Sequence, residues 1–227
     1  MFSKTFSLVA VFVVALAFGY LLIKPEPSQV ADNFELPFAA NAQSKDAETA
    51  DVMLIKEMVI GDPDAPLTVI EYASFTCPHC ASFHENTYGD LKKNYIETGK
   101  IKFVFREIYF DKYGIWASMI ARCAGPEKFF GLTDVLMSSQ RIWARAGDDL
   151  AIVNELSKIA RLAGMEEDQV QSCLRDGEKI KALVAWYKEN ATGDGVRSTP
   201  SFMIDGQLYS NMNYDEFSKL LDDKLGS

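Results

Sequence analysis

Two thiols three residues apart, with a proline and a histidine between them, are the side chains here whose types and spacing can do chemistry: Cys77-Pro78-His79-Cys80. On a helix this spacing places the sulfurs one turn apart. They can close a disulfide, and Cys80 can attack any mixed disulfide formed on Cys77. The thiolate is the reactive form of a thiol. Pro78 suits the first helical turn, where its missing N–H loses nothing. Cys77 then lies at the helix N-terminus, among unpaired N–H groups and the positive end of the dipole, and both favour the thiolate. An imidazolium at His79 would lower the Cys77 pKa further. The plainer reading of His79 is an inert exposed side chain.

Two other readings compete for this pair. A zinc site needs four ligands, and Cys77, His79, Cys80 and His84 are close in sequence. A helical Cys-x-x-Cys, however, turns its second cysteine inward, and the chain has only 2 histidines. A purely structural bridge is the third possibility. Redox exchange is the reading adopted, with no metal and no cofactor. His84, one turn past Cys80, reads as a packed helical residue. The four cysteines allow three pairings. The Cys-x-x-Cys pair belongs to itself, which leaves Cys123 with Cys173 as a structural bridge, as free buried thiols or as a second redox pair. A bridge would close a 50-residue loop and stabilise the fold by on the order of 3–4 kcal/mol.

The elements that must position the pair are legible around it. Leu67 to Ala73 is an apolar run that reads as a buried strand, and Ala81 to Glu97 has helical spacing with Gly99 as its C-cap. Ile101 to Ile108 reads as the next strand, completing a right-handed βαβ unit. Val52 to Ile60 alternates weakly, as an edge strand does. From Tyr113 to about Asn190 apolar residues recur at helical spacing without a convincing strand, giving a block of about five helices. Trp116, Trp143 and Trp186 are core or groove residues. Phe202 to Ile204, Asp205-Gly206 and Gln207 to Ser210 form a β-hairpin, and Tyr214 to Leu225 is a final amphipathic helix. Pro200, at the start of a strand, points to an edge position or a cis bond.

The chain has 227 residues and a formal net charge of -9. That charge, with no Lys/Arg cluster, argues against a nucleic-acid partner. Thr5 to Ile23 is a 19-residue uncharged run after a single basic residue, Lys4. It reads as a signal peptide or as an uncleaved membrane anchor. The poor placement of Ala40-Asn41-Ala42 as a cleavage site favours the anchor. Either way the remainder is exported. Residues 24–51 form a polar, acidic linker. The remainder, residues 52–227, is long enough for one domain carrying a large insertion at about 113–190.

Cys77-Pro78-His79-Cys80 after a buried strand, an all-helical insertion, then Thr199-Pro200 before a β-hairpin and a last helix together resemble the DsbA-like thiol:disulfide oxidoreductases of the bacterial envelope. The resemblance covers roughly residues 59–224. It implies an α/β thioredoxin fold with an inserted all-helical subdomain. It implies Cys77 as the exposed nucleophile and Cys80 as the resolving cysteine, with Pro78 and His79 tuning the thiolate. Pro200 is implied to be a cis-proline facing the disulfide. Thr199 before it would offer backbone groups to a bound peptide. Glu71 matches the buried acid that takes part in proton transfer near the resolving cysteine, and Lys102 is its candidate partner. A Cys123–Cys173 bridge resembles alphaproteobacterial members with a second disulfide. The implied activity is oxidation of reduced, unfolded exported proteins, with reoxidation by a quinone-linked DsbB-type membrane partner. A disulfide isomerase or reductase fed by a reductive membrane partner is the alternative. A membrane-anchored metal- or peptide-binding module is the non-enzymatic one. The implied location is the periplasm, with the protein secreted or tethered to the inner membrane through residues 5–23.

Overall fold

The computed structural model describes residues 55–226. The segment expected to be a signal peptide or anchor, the linker and the first residues of the expected edge strand lie outside the described residues. Among those described, no helix is long and apolar enough to cross a membrane.

A five-stranded mixed sheet organises the chain, in the order β1-β3-β2-β4-β5. Its strands are β1 (Met58–Ile60), β2 (Leu67–Ala73), β3 (Ile101–Glu107), β4 (Ser201–Ile204) and β5 (Gln207–Ser210). β2 and β3 are parallel, and the other pairings are antiparallel. The β-branched and aromatic residues of β2 and β3 suit a pleated surface covered on both faces. Between these strands runs one long helix, α1 (residues 78–96). Its segments His84–Tyr88 and Lys92–Ile96 are π-helical. The helix ends where Gly99 takes a positive φ of 71°, as a C-cap requires. Asp205 and Gly206 turn the β4–β5 hairpin with φ of 51° and 73°, the pattern of a type I′ turn.

The helical block holds six helices rather than about five: α2 (Lys112–Cys123), α3 (Pro126–Ser138), α4 (Gln140–Trp143), α5 (Asp149–Leu162), α6 (Glu167–Leu174) and α7 (Gly177–Gly193). The extra one, α4, is a single turn, too short for apolar periodicity to reveal. Two cross-links hold the block. Cys123 at the end of α2 is disulfide-bonded to Cys173 in α6, with a Cα–Cα distance of 6.3 Å. Arg122 meets Glu107, the last residue of β3, through two N–H···O bonds of 2.6 Å, both side chains being buried. Ser118 adds a 2.9 Å hydrogen bond to the same carboxylate. This paired geometry satisfies charges that burial would otherwise penalise, and it fixes α2 against the sheet.

The last helix, α8 (Tyr214–Leu225), closes the other side. Phe217 packs against Phe202 of β4, ring centroids 4.8 Å apart. Its N-terminus carries a capping box between Asn213 and Glu216. Asn213→Ala is expected to remove about 1 kcal/mol of stability and to lower Tm by about 2–4 °C in a domain of this size. Thermal unfolding followed by circular dichroism checks this. An unchanged Tm would mean that Phe217 and Leu221 hold the helix without the cap.

Candidate active site

Cys77 sits between the end of β2 and the first turn of α1. The strand-to-helix turn is drawn tight by backbone bonds from Cys77 N–H to Ser74 O, and from Cys80 and Ala81 N–H to Cys77 O, each 3.1 Å. Pro78 occupies the first helical turn, as the sequence predicts. Pro78 and His79 are exposed and Cys80 is fully buried; Cys77, expected to be exposed, is itself buried with 7% of its surface accessible, because it lies against the Thr199–Pro200 segment. Both thiols are free, so this is the dithiol form.

The two sulfurs are pushed in opposite directions. A hydrogen bond from Cys80 is the largest influence on Cys77. With Thr199 and the backbone N–H groups of Cys80 and His79, it outweighs burial and brings the Cys77 pKa down to about 5. The Cys80 thiol is pushed far up, first by burial, then by its bond to Cys77 and by the charge of Glu71. One proton therefore stays on the inner sulfur while the outer sulfur is a thiolate at neutral pH. The visible contribution of His79 is its backbone N–H.

Across the site, the Thr199–Pro200 peptide is cis, and Cys77 Sγ lies 3.6 Å from the Thr199 carbonyl oxygen. Pro200 is buried and Thr199 half-buried at the head of β4. Thus the helix N-terminus, both cysteines and the residues before β4 converge, although 122 positions separate Cys77 from Thr199.

Lys102 does not join them. In the β2–β3 register Lys102 lies opposite Thr68, whereas Glu71 lies opposite Phe105. Side chains alternate along a strand, so Lys102 and Glu71 point to opposite faces of the sheet. Lys102 Nζ instead donates to the Pro63 carbonyl at 3.4 Å. The partner of Glu71 is His84, whose Nε2 lies 3.1 Å from Glu71 Oε2. His84 is a packed helical residue, as its spacing suggests, but it is packed onto a carboxylate.

Sequence reasoning also passes over Gln140. From α4, its Nε2 donates to the carbonyls of Phe75 at 2.8 Å and Cys77 at 2.9 Å. The helical block thereby grips the reactive turn directly. A second grip comes from Thr76 Oγ1, which donates to Asp111 Oδ2 at 2.8 Å. Asp111 is the residue that caps α2.

A thioredoxin-type sheet with a helical insertion, a Cys-x-x-Cys at the start of the first helix and a cis-proline opposite it define a thiol–disulfide site of the DsbA-like class. The chain belongs to the thioredoxin family, whose model, described as Thioredoxin, matches residues 54–223. A Rickettsia prowazekii relative named as a protein-disulfide oxidoreductase is 32% identical over 170 residues, covering 74% of this chain and 61% of its own. This chain thus spans about three fifths of that relative's length. The crystal structure of Wolbachia pipientis alpha-DsbA1 superposes with a TM-score of 0.67 at 28% identity, covering 78% of this chain and 96% of that one. A protein-disulfide isomerase from Novosphingobium aromaticivorans superposes with a TM-score of 0.66 at 26% identity, covering 75% and 98%.

Proposed function

We propose that this chain is a protein-disulfide oxidoreductase working as a dithiol oxidase on reduced, exported proteins. The observation that carries the reading is the opposed displacement of the two thiols, Cys77 down to about 5 and Cys80 up. In the disulfide form, a substrate thiolate attacks Cys77 Sγ. The Cys77–Cys80 bond breaks and Cys80 leaves, taking up a proton. A second substrate thiolate then attacks the substrate sulfur of the mixed disulfide. Cys77 departs as a stabilised thiolate, leaving the substrate oxidised and this protein a dithiol. A low pKa at Cys77 makes it a good leaving group and stabilises the reduced form, which is what makes an oxidant. The Thr199 carbonyl beside the sulfur supports main-chain pairing with an extended peptide, and hence broad substrate choice.

Residues 5–23 support a periplasmic setting, the protein being secreted or tethered to the inner membrane. Reoxidation falls to a DsbB-type, quinone-linked membrane protein. The second reading, an isomerase or reductase fed by a reductive membrane partner, is favoured by the likeness to a protein named as a disulfide isomerase.

Equilibration in glutathione buffers at pH 7 separates the two. The oxidase reading expects a Cys77/Cys80 potential near −120 mV, where strong dithiol oxidants lie. A potential near −270 mV, that of thioredoxin, would sink it in favour of a reductant-fed role. At an intermediate potential, turnover of scrambled disulfides without net oxidation would assign the isomerase.

A further inference from the structure

Glu71 is fully buried in the centre of the sheet, and its Oε1 has no hydrogen-bond partner among the described residues. Its other oxygen meets His84 Nε2 at 3.1 Å. The opposite ring nitrogen, Nδ1, is also buried and faces Asp134 Oδ1 of α3 at 3.6 Å. Along this line exposure rises abruptly: side-chain exposure is 0% at Glu71, 3% at His84 and 42% at Asp134. Asp134 and His84 line a hollow of about 380 Å³ together with Tyr88, Lys92 and Ser138. At the inner end, the Glu71 charge acts on the Cys80 thiol. Three titratable groups from β2, α1 and α3 therefore run from Glu71, whose charge reaches the buried Cys80 thiol, to the partly exposed carboxylate of Asp134 at the hollow.

The resemblance already implies Glu71 as the acid that exchanges a proton with Cys80; we propose that His84 and Asp134, as positioning residues, extend this to a proton path that ends at the hollow on the α1–α3 face. This rests on thiol–disulfide exchange at Cys77/Cys80 and deepens it. Cys80 must gain a proton when it leaves the disulfide and lose one when it attacks a mixed disulfide. With its sulfur sealed from water, that proton needs a route. When Cys80 attacks, its sulfur bonds to Cys77 Sγ and the partner sulfur leaves as a thiolate with the electron pair. The proton from Cys80 goes to the Glu71 carboxylate. The Glu71/His84 pair then releases one proton through the ring to Asp134 and water. Protonation of a departing Cys80 runs the same route inward.

The groups facing His84 suit this. Burial disfavours its imidazolium, but the charges and hydrogen bonds of Glu71 and Asp134 prevail and raise its pKa to about 9. Tyr88, with its ring 4.6 Å from that of His84, is held neutral by burial and by the nearby carboxylates. Lys92 is the cation among the residues lining the hollow. The remaining ring neighbours, Phe83 and Phe105, carry no charge. The wide π-helical turn His84–Tyr88 begins at this histidine, a backbone feature that recurs at functional sites.

The test uses 5,5′-dithiobis(2-nitrobenzoate) on the reduced protein in stopped flow across pH 5–9. Cys77 releases one thionitrobenzoate when it attacks the reagent. Cys80 releases a second when it closes on the mixed disulfide. For His84→Gln and Asp134→Asn, the first phase should match wild type, while the second slows by about tenfold at pH 7 and loses its wild-type pH profile. Asp134→Glu should restore it. Unchanged second phases in folded Asp134→Asn and His84→Gln protein would overturn the path. So would equal slowing of both phases, or failure of Asp134→Glu to rescue. Asp134, being at the surface, remains a fair test if His84→Gln fails to fold. Absence of a second phase in wild type would instead refute the exchange chemistry on which the path rests.

Discussion

Cys77→Ser and Cys80→Ala are each expected to bring oxidation of a dithiol peptide down to the uncatalysed rate, since neither can form the Cys77–Cys80 disulfide, while Cys80→Ala keeps the attack of Cys77 on a disulfide peptide, the reverse of the oxidising step. A serine hydroxyl neither forms the disulfide nor leaves as a stabilised anion, so no fraction of the activity survives at position 77. Alanine at position 80 leaves the Cys77 thiolate able to attack a disulfide but removes the thiol that would then close on Cys77 and release the bound peptide. Offered a disulfide peptide, Cys80→Ala should therefore accumulate as a mixed disulfide through Cys77, the other peptide sulfur leaving as a thiolate, seen as a reducible band on a non-reducing gel. The same substitution deletes the largest influence on the Cys77 pKa, the hydrogen bond from Cys80. The thiolate titration, read by absorbance at 240 nm, should consequently move up from about 5. A Cys77→Ser protein that still oxidised the peptide would remove this pair from the chemistry. An unmoved titration in Cys80→Ala would assign the low pKa to the helix N-terminus alone.

The reactive turn was legible because its signals are local. Pro78 one residue after Cys77, a β-branched run before it and an amphipathic run after it all depend on neighbours a few positions away. The bounds Leu67–Ala73 and Tyr214–Leu225 are read from the sequence without error for the same reason. What escapes is what the fold brings together at a distance. Lys102 was a reasonable partner for Glu71 by charge, since a buried carboxylate must find one. Only the strand register shows that the two side chains point to opposite faces. The histidine that takes its place is 13 residues away across the strand-to-helix crossover. One signal was present: a carboxylate in the apolar run and a histidine on the inward stripe of the next helix. Gln140 offered none. It has no charge, lies in a one-turn helix, and acts on a carbonyl 63 residues away.

The reduction potential of Cys77/Cys80 is expected to fall by about 59 mV per pH unit below pH 5, and by only about 30 mV per unit between pH 5 and 8. The disulfide form has no thiol to titrate. Below the Cys77 pKa of about 5, reduction takes up two protons with its two electrons. Above it, Cys77 remains a thiolate and reduction takes up one, carried by Cys80, whose pKa is held far above the ordinary value. The sign follows from linkage. A thiol whose folded pKa lies below its unfolded value stabilises the folded dithiol fully above the unfolded pKa, and that stability disappears as pH falls through the folded one. At pH 7, about two units above a pKa of about 5 and two below the ordinary 9.0, the dithiol is favoured roughly 100-fold, equivalent to about 60 mV of added oxidising potential. The reduced protein should therefore melt above the oxidised one at pH 7, with the gap narrowing toward pH 5. Glutathione equilibration from pH 4 to 8, with thiols counted by alkylation, gives the slope directly. A slope of about 59 mV throughout would mean that Cys77 titrates above this range, and the displacement on which the oxidase reading stands would be absent.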